Sequence, residues 1–241
     1  MKRPSRGEIV ATRPRGNLVL ATLPGAERRS LTARCESVQQ AFGDVLCEQG
    51  SRIHHVYFPL GSFISEISTS GGRPTLEVGL IGSEGMLGAS LLLGVDVAPL
   101  RALVQGSGCA LRMETAQFCR EVKRSPALRR ALNSYLYVLM GQLAQMAVCT
   151  RFHVVEARMA RWLLMTRDRA HSEEFYLTQE FIACMLGVRR VGVTKAARAL
   201  QRRKLIRYTR GWMTILDDRG LEAVACGCYA FDKELYDRYM V

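Results

Sequence analysis

Two helical patterns hinged on one glycine constrain this chain most. The segment LTQEFIACMLGVRRVGVTKAARALQRR covers residues 177–203. Thr178 is a strong N-cap residue, and Glu180 in the first turn suits the positive end of the helix dipole. Gly187 can take the positive φ that ends such a helix. A second helix is expected from near Arg190 to about Arg203. Ile182, Leu186, Val188, Val193 and Ala196 supply an apolar interior, and small Ala183 permits a close crossing. Val193, Ala197 and Leu200 recur at i, i+4 and i+7 and share one face. Two helices joined by a tight glycine turn make a helix-turn-helix. The next stretch, KLIRYTRGWMTIL, reads as two short strands around Arg210-Gly211, the wing of a winged helix-turn-helix.

Charge gives this unit a partner. Residues 181–216 contain no Asp or Glu but nine basic residues: Arg189, Arg190, Lys195, Arg198, Arg202, Arg203, Lys204, Arg207 and Arg210. The whole chain has 34 Lys and Arg against 22 Asp and Glu, a formal charge of +12. A soluble protein that basic usually meets a polyanion. Arg190, Val191, Lys195 and Arg198 point away from the apolar face of the second helix, where Arg and Lys can reach base edges in a major groove. An isolated basic face is often only solvated surface. Here the long acid-free run, the glycine turn and the following wing favour double-stranded DNA. The expected DNA-contacting residues are Thr178, Arg189, Arg190, Val191, Thr194, Lys195, Arg198, Arg202 and Arg210. Gly192 weakens the second helix by about 1 kcal/mol relative to Ala, and a glycine there would let the backbone approach DNA closely.

The rest of the 241 residues divides by periodicity. Residues 1–16 read as a loose arm. Residues 38–113 alternate apolar and polar positions in short runs broken by Gly, Ser, Pro or Asp, which predicts a small antiparallel sandwich or barrel. STSGGRP (residues 68–74) is a turn between two strands. From Glu114 the alternation stops. Ser125-Pro126 opens a helix in which Leu132, Leu136, Leu139, Leu143 and Met146 are spaced 4, 3, 4, 3. That is a heptad seam, suited to a dimer or to packing on its own domain. Tyr135, Val138 and Ala147 widen the face enough for both at once. VVEARMARWLLMTRDRA predicts another helix, HSEEFY interrupts it, and the tail beyond the wing reads as helical. There Tyr229, Phe231, Tyr236 and Tyr239 read as packing residues.

Several function classes recede. The eight cysteines are scattered without CxxC spacing. Cys226-Gly-Cys228 reads as too closely spaced and too isolated for a four-ligand metal site, so no metal is expected. Four histidines show no nucleophile or metal spacing, and Ser90 lies in no GxSxG; the chain does not read as an enzyme, and no catalytic residue or cofactor is expected. The basic N-terminus lacks the apolar core of an export signal, and no apolar run approaches a membrane span. A cytoplasmic location and no membrane partner are expected.

The segment LTQEFIACMLGVRRVGVTKAARALQRRKLIRYTRGWMTILD, after a long helix and a choppy β-rich region, resembles the Crp/Fnr family of bacterial transcription regulators. The resemblance implies an α+β fold: an N-terminal double-stranded β-roll, jelly-roll-like and of the cyclic-nucleotide-binding type (residues 1–124), a long dimerisation helix (125–152) and a C-terminal winged helix-turn-helix (153–241). It implies a homodimer through Leu132, Leu136, Leu139, Leu143 and Met146, with paired recognition helices on a two-fold symmetric site and RNA polymerase as a further partner. Where family recognition helices commonly carry Ser-Arg-Glu and a later Arg, this chain has Arg189, Arg190, Val191 and Lys195. Val191 can touch a thymine methyl but cannot accept from cytosine, so a different half-site is expected. The resemblance places an effector pocket near Glu84, Gly85, Gly88, Arg101 and Ala102. The family's ribose-binding Glu is Ala89 here, and Leu100 stands at its phosphate-binding Arg, with Arg101 one residue late and on the other face of the strand. Cyclic AMP is therefore not the expected effector, and none is identified. The contrasting reading is a small-ligand or nucleotide-binding sensor whose DNA contact is incidental.

Overall fold

A computed structural model describes residues 16–71 and 73–240. The expected N-terminal arm lies outside the described residues apart from Gly16. Two short helices, α1 (Leu18–Ala21) and α2 (Gly25–Thr32), precede strands β1 (Glu36–Gln40), β2 (Val45–Cys47), β3 (His55–Pro59), β4 (Phe63–Ser70), β5 (Arg73–Ile81), β6 (Arg101–Gly106) and β7 (Gly108–Glu114). They form two antiparallel sheets, ordered β1-β7-β3 and β2-β6-β4-β5. Tyr57 of the first sheet packs with Ile64, Ile81 and Ala102 of the second. Alternation puts these side chains between the sheets, giving the expected β-roll. The turn expected at residues 68–74 is shorter: β4 runs on to Ser70 and β5 begins at Arg73, with those two residues opposite each other.

Helix α3 (Thr115–Arg124) ends at Ser125, whose backbone is extended. Ser125 then caps α4 (Pro126–Phe152) by accepting from Leu128 N at 2.9 Å, with Pro126 in the first turn. At about 1.5 Å per residue, α4 is about 40 Å long. Its role corrects the sequence expectation in part. Leu132 is 1% exposed and sits with Leu128, Tyr135 and Val138 against Phe58, Met86 and Phe118, in the core of its own chain. It has no surface left for a partner subunit. Leu136 and Leu139 are half-buried on the same side, whereas Leu143 is exposed. The apolar ridge facing outward is instead Tyr137, Met140 (68% exposed) and Val148, with Ala144 and Ala147 between them. Both stripes have heptad spacing. The β-roll occupies the more apolar one, which is why spacing alone picked it.

Beyond α4, residues His153 and Val154 are extended. Then come α5 (Val155–Ala170), β8 (Glu174–Tyr176), α6 (Gln179–Leu186), α7 (Arg190–Arg202), β9 (Ile206–Thr209), β10 (Trp212–Ile215), α8 (Asp218–Val224) and α9 (Cys228–Tyr239). Strand β8, within the stretch that read as a break, pairs with β10 to make a sheet ordered β8-β10-β9. Helix α9 returns along α4. A Cβ on Gly141 would come within 2.8 Å of Leu235, so glycine there permits the close approach. Tyr239 stacks edge-on against Tyr137 at 4.7 Å.

The C-terminal core includes β-roll residues: Phe63, Ile67 and Leu80 pack with Trp162, Ile182 and Leu186. Trp162 Nε1 donates to buried Glu77 Oε1 at 2.8 Å, and Ser65 donates to the other carboxylate oxygen at 2.5 Å. Arg169 reaches Glu84 at 2.7 Å and donates to Leu80 O at 3.1 Å. Cys226 and Cys228, isolated in the sequence, are not isolated in the fold. Cys149 and His153 at the end of α4 lie beside them. No described helix is long and apolar enough to cross a membrane.

Candidate nucleic-acid interface

The local signals around Gly187 fold as their chemistry dictates. Thr178 Oγ1 accepts from Phe181 N at 3.1 Å and starts α6. Gly187, at φ 60°, ends it. The buried Arg158 guanidinium of α5 donates to Leu186 O, placing a cation at the negative end of α6. Helix α7 buries Val193, Ala196, Ala197 and Leu200 in the core shared with α5 and α6. That burial fixes which face of α7 looks outward.

The outward face carries Arg190, Val191 (60% exposed), Lys195, Arg198 and Arg202, with Arg189 just before the helix, and all of them are exposed. Of the nine basic residues in 181–216, only Arg203 and Arg207 find carboxylates among the described residues, Glu156 at 3.6 Å and Glu174 at 4.0 Å. Both acids lie outside the acid-free run. Seven cations therefore remain without an internal ion pair among the described residues. Such a face holds counterions, and a phosphate backbone can displace them.

The wing is a two-residue hairpin. Arg210 and Gly211 have φ of 53° and 87°, and Thr209 pairs with Trp212. Two successive positive φ angles match the twist of the flanking strands. The Tyr208 hydroxyl donates to Leu177 O at 2.6 Å, and Trp212 meets Tyr176 edge-on at 5.5 Å. These contacts hold exposed Arg210 at the wing tip.

Two expected roles change. Thr194 was expected at DNA, but its hydroxyl donates to Gln179 Oε1 at 2.8 Å and lies 3.1 Å from Arg190 O. It ties α7 to α6 instead. A Cβ on Gly192 would sit 3.9 Å from Val155 and 4.0 Å from Val188, so this position faces the protein and not a duplex. Nothing in the packing explains why it is glycine.

The β-roll and α4 enclose a cavity of about 260 Å³. Of the expected effector residues, Gly88 and Ala102 line it and the other three do not. Glu84 is spent on Arg169 and on Gly82 N. Gly85 is packed so closely on Tyr135 that a Cβ would overlap the hydroxyl. Arg101 lies 3.3 Å from Glu48. The wall is mostly aliphatic, from Met86, Leu87, Leu100, Leu136 and Leu139 among others, with no Arg or Lys among the described lining residues. Its acidic group is Glu66, whose carboxyl is pushed up to about 7 by burial. A phosphate there would meet no Arg or Lys among the described lining residues; the basic side chains in the wall are His54 and His55, and the Glu66 carboxyl shares it.

Residues 157–224 match the family of Crp-like helix-turn-helix domains. No curated protein matches the chain. Among solved structures, the chain is similar to a Crp/Fnr-family regulator from Eubacterium rectale, at 17% identity and a TM-score of 0.64 over 86% of this chain and 96% of that one. It is also similar to the c-di-GMP-responsive global regulator CLP of Xanthomonas campestris (14% identity, TM-score 0.66, covering 80% and 100%). A Crp/Fnr-family transcriptional regulator of Thermus thermophilus aligns over 79% of this chain and 98% of its own, at 22% identity and a TM-score of 0.65.

Proposed function

From a Crp-like helix-turn-helix domain carried on the fold shared by Crp/Fnr regulators, we propose that this chain is a sequence-specific, double-stranded DNA-binding transcription regulator acting as a homodimer. One observation carries the reading: the outer face of α7 is cationic, exposed and without internal carboxylate partners among the described residues. Arg189 and Arg190 at the N-terminal end of α7 read base edges, and Val191 contacts a thymine methyl. Lys195, Arg198, Arg202 and wing Arg210 bind phosphates and set the register. Thr178 serves through the N-terminus of α6, whose free N–H groups suit a phosphate.

The exposed ridge of Tyr137, Met140, Ala144, Ala147 and Val148 supports the homodimer. Leu136, Leu139, Leu143 and Met146 flank that ridge, while Leu132 does not take part. Two recognition helices about 34–36 Å apart then meet half-sites one helical turn apart. The cavity against α4 supports an effector that shifts the balance between arrangements of the long helices. Its apolar wall and Glu66 favour a neutral or cationic apolar molecule over a cyclic nucleotide.

Selection of bound fragments from random DNA, followed by competition, tests this. A two-fold symmetric site should emerge and outcompete random DNA by about a thousandfold or more. A ratio near unity would instead support the sensor reading, for which the cavity is the observation in favour.

A further inference from the structure

We propose that Cys149, His153, Cys226 and Cys228 form a binding site for one soft divalent cation of the zinc class, which clamps the junction between α4 and the DNA-binding domain. The four ligand atoms all lie within 4.8 Å of one another. Cys149 lies in the last turn of α4, and His153 directly follows that helix with its N–H donating to Cys149 O at 3.2 Å. Cys226 lies in the link between α8 and α9, and Cys228 opens α9. The Cys149 and Cys226 sulfurs are 3.6 Å apart, and Cys228 Sγ is 3.4 Å from His153 Nδ1. Bond lengths of about 2.3 Å to sulfur and about 2.0 Å to nitrogen, arranged tetrahedrally, put such atoms about 3.5–3.8 Å apart. These two separations are already within about 0.2 Å of those lengths. A disulfide needs about 2.05 Å, and all eight cysteines are free.

The surroundings suit a structural ion. Cys149, Cys226 and Cys228 are buried, while His153 is half-buried and leaves a way in. Gln145 Nε2 lies 3.1 Å from Cys228 Sγ and can donate to it. The Arg161 guanidinium, paired with Asp232 at 2.6 Å, also lies 4.0 Å from Cys149 Sγ, where a nearby cation favours a thiolate. Sulfur and imidazole donors select against magnesium and calcium. Four protein ligands leave no open position, as in structural sites. Each ligating thiol gives its proton to solvent, up to three per ion, with no change of oxidation state.

Position supplies the consequence. Only His153 and Val154 separate α4 from α5, and α9, which starts at Cys228, packs along α4. An ion joining the end of α4 to the start of α9 fixes the angle at which the helix-turn-helix leaves the long helix.

The test is a cobalt(II) titration of the reduced full chain, with elemental analysis of protein grown in zinc-replete medium. One zinc per chain is expected. Equimolar cobalt should give thiolate-to-cobalt charge-transfer bands and the intense visible bands of tetrahedral cobalt, both abolished by zinc. Cys228→Ser and His153→Ala should each weaken uptake at least tenfold, with Cys109→Ser as an unaffected control and circular dichroism reporting their folding. If a variant fails to fold, graded chelator competition on the unaltered chain gives the affinity directly. Absence of stoichiometric uptake by folded, reduced protein would overturn the proposal. So would bands at full strength in folded Cys228→Ser and His153→Ala.

Discussion

Helices α5 and α7 are both rich in arginine, yet their arginines meet opposite fates. On α5, Arg158 donates to Leu186 O, and Arg161 pairs with Asp232 at 2.6 Å. Arg167 pairs with Asp168 at 2.7 Å and Asp218 at 2.6 Å, and Arg169 pairs with Glu84 at 2.7 Å. On α7, Arg190, Lys195, Arg198 and Arg202 face outward with no carboxylate partner among the described residues. Charge content does not separate the two helices. What separates them is whether the fold returns an acid or a carbonyl from elsewhere to each cation. Cations already paired build the molecule, and cations left over are available to another one.

The largest effect should come from breaking the buried side. Arg161→Met leaves Asp232 buried without its partner and should cost about 3–5 kcal/mol in urea unfolding. The same exchange at Arg198 should change stability by no more than about 0.5 kcal/mol. Equal costs would erase the distinction between the helices.

Acidity should also discriminate. Glu77, which accepts from Trp162 of α5, has its carboxyl pushed up to about 7 by burial, against hydrogen bonds from Ser65 and Trp162 that pull it down. The native state then holds a proton that the unfolded chain releases. This contribution is complete below the ordinary value of 4.5 and lost as pH rises to about 7. Over that window the unaltered chain should lose on the order of 2 kcal/mol relative to Glu77→Gln. Parallel stability curves for the two proteins would contradict it.

On the exposed side, Arg190→Ala should weaken binding to the selected duplex by about 1–3 kcal/mol with the melting temperature unchanged. Unchanged affinity would remove Arg190 from base reading. The smallest effect is expected at Gly192, where Ala should stabilise α7 by up to about 1 kcal/mol. Because the added methyl would face Val155 and Val188, DNA affinity should hold. A loss of affinity would mean that the duplex approaches this position after all.

The two regions also differ in how much of them could be read in advance. Everything at α6 and α7 rests on local signals: the Thr178 cap, the Gly187 turn, and the Val193, Ala197 and Leu200 face. The helix bounds and outward side chains therefore followed from the sequence, as did the hairpin at Arg210-Gly211. Thr194 was misassigned because its partner, Gln179, lies across the turn on another helix. Leu132 of the α4 seam was assigned to a partner because two apolar stripes with the same spacing lie side by side, and the β-roll takes this end of one of them. Strand β8 is three residues long, too short for alternation to register. Outside the cavity wall, the loss of Arg101 to Glu48 is a contact between separate segments. The same holds for Cys149 and Cys226, 77 positions apart. Periodicity reports on faces, not on which distant residues those faces will meet.

The central claim is that the unpaired cations of α7 bind the phosphates and base edges of a duplex. Its most direct test is the salt dependence of binding to the selected site by the full chain and by Arg198→Gln. A steep fall in affinity with salt is predicted, with the log–log slope reduced by about 1 in the variant. Binding that ignores salt, or a slope that survives neutralisation of Arg189, Arg198 and Arg202 together, would contradict the account.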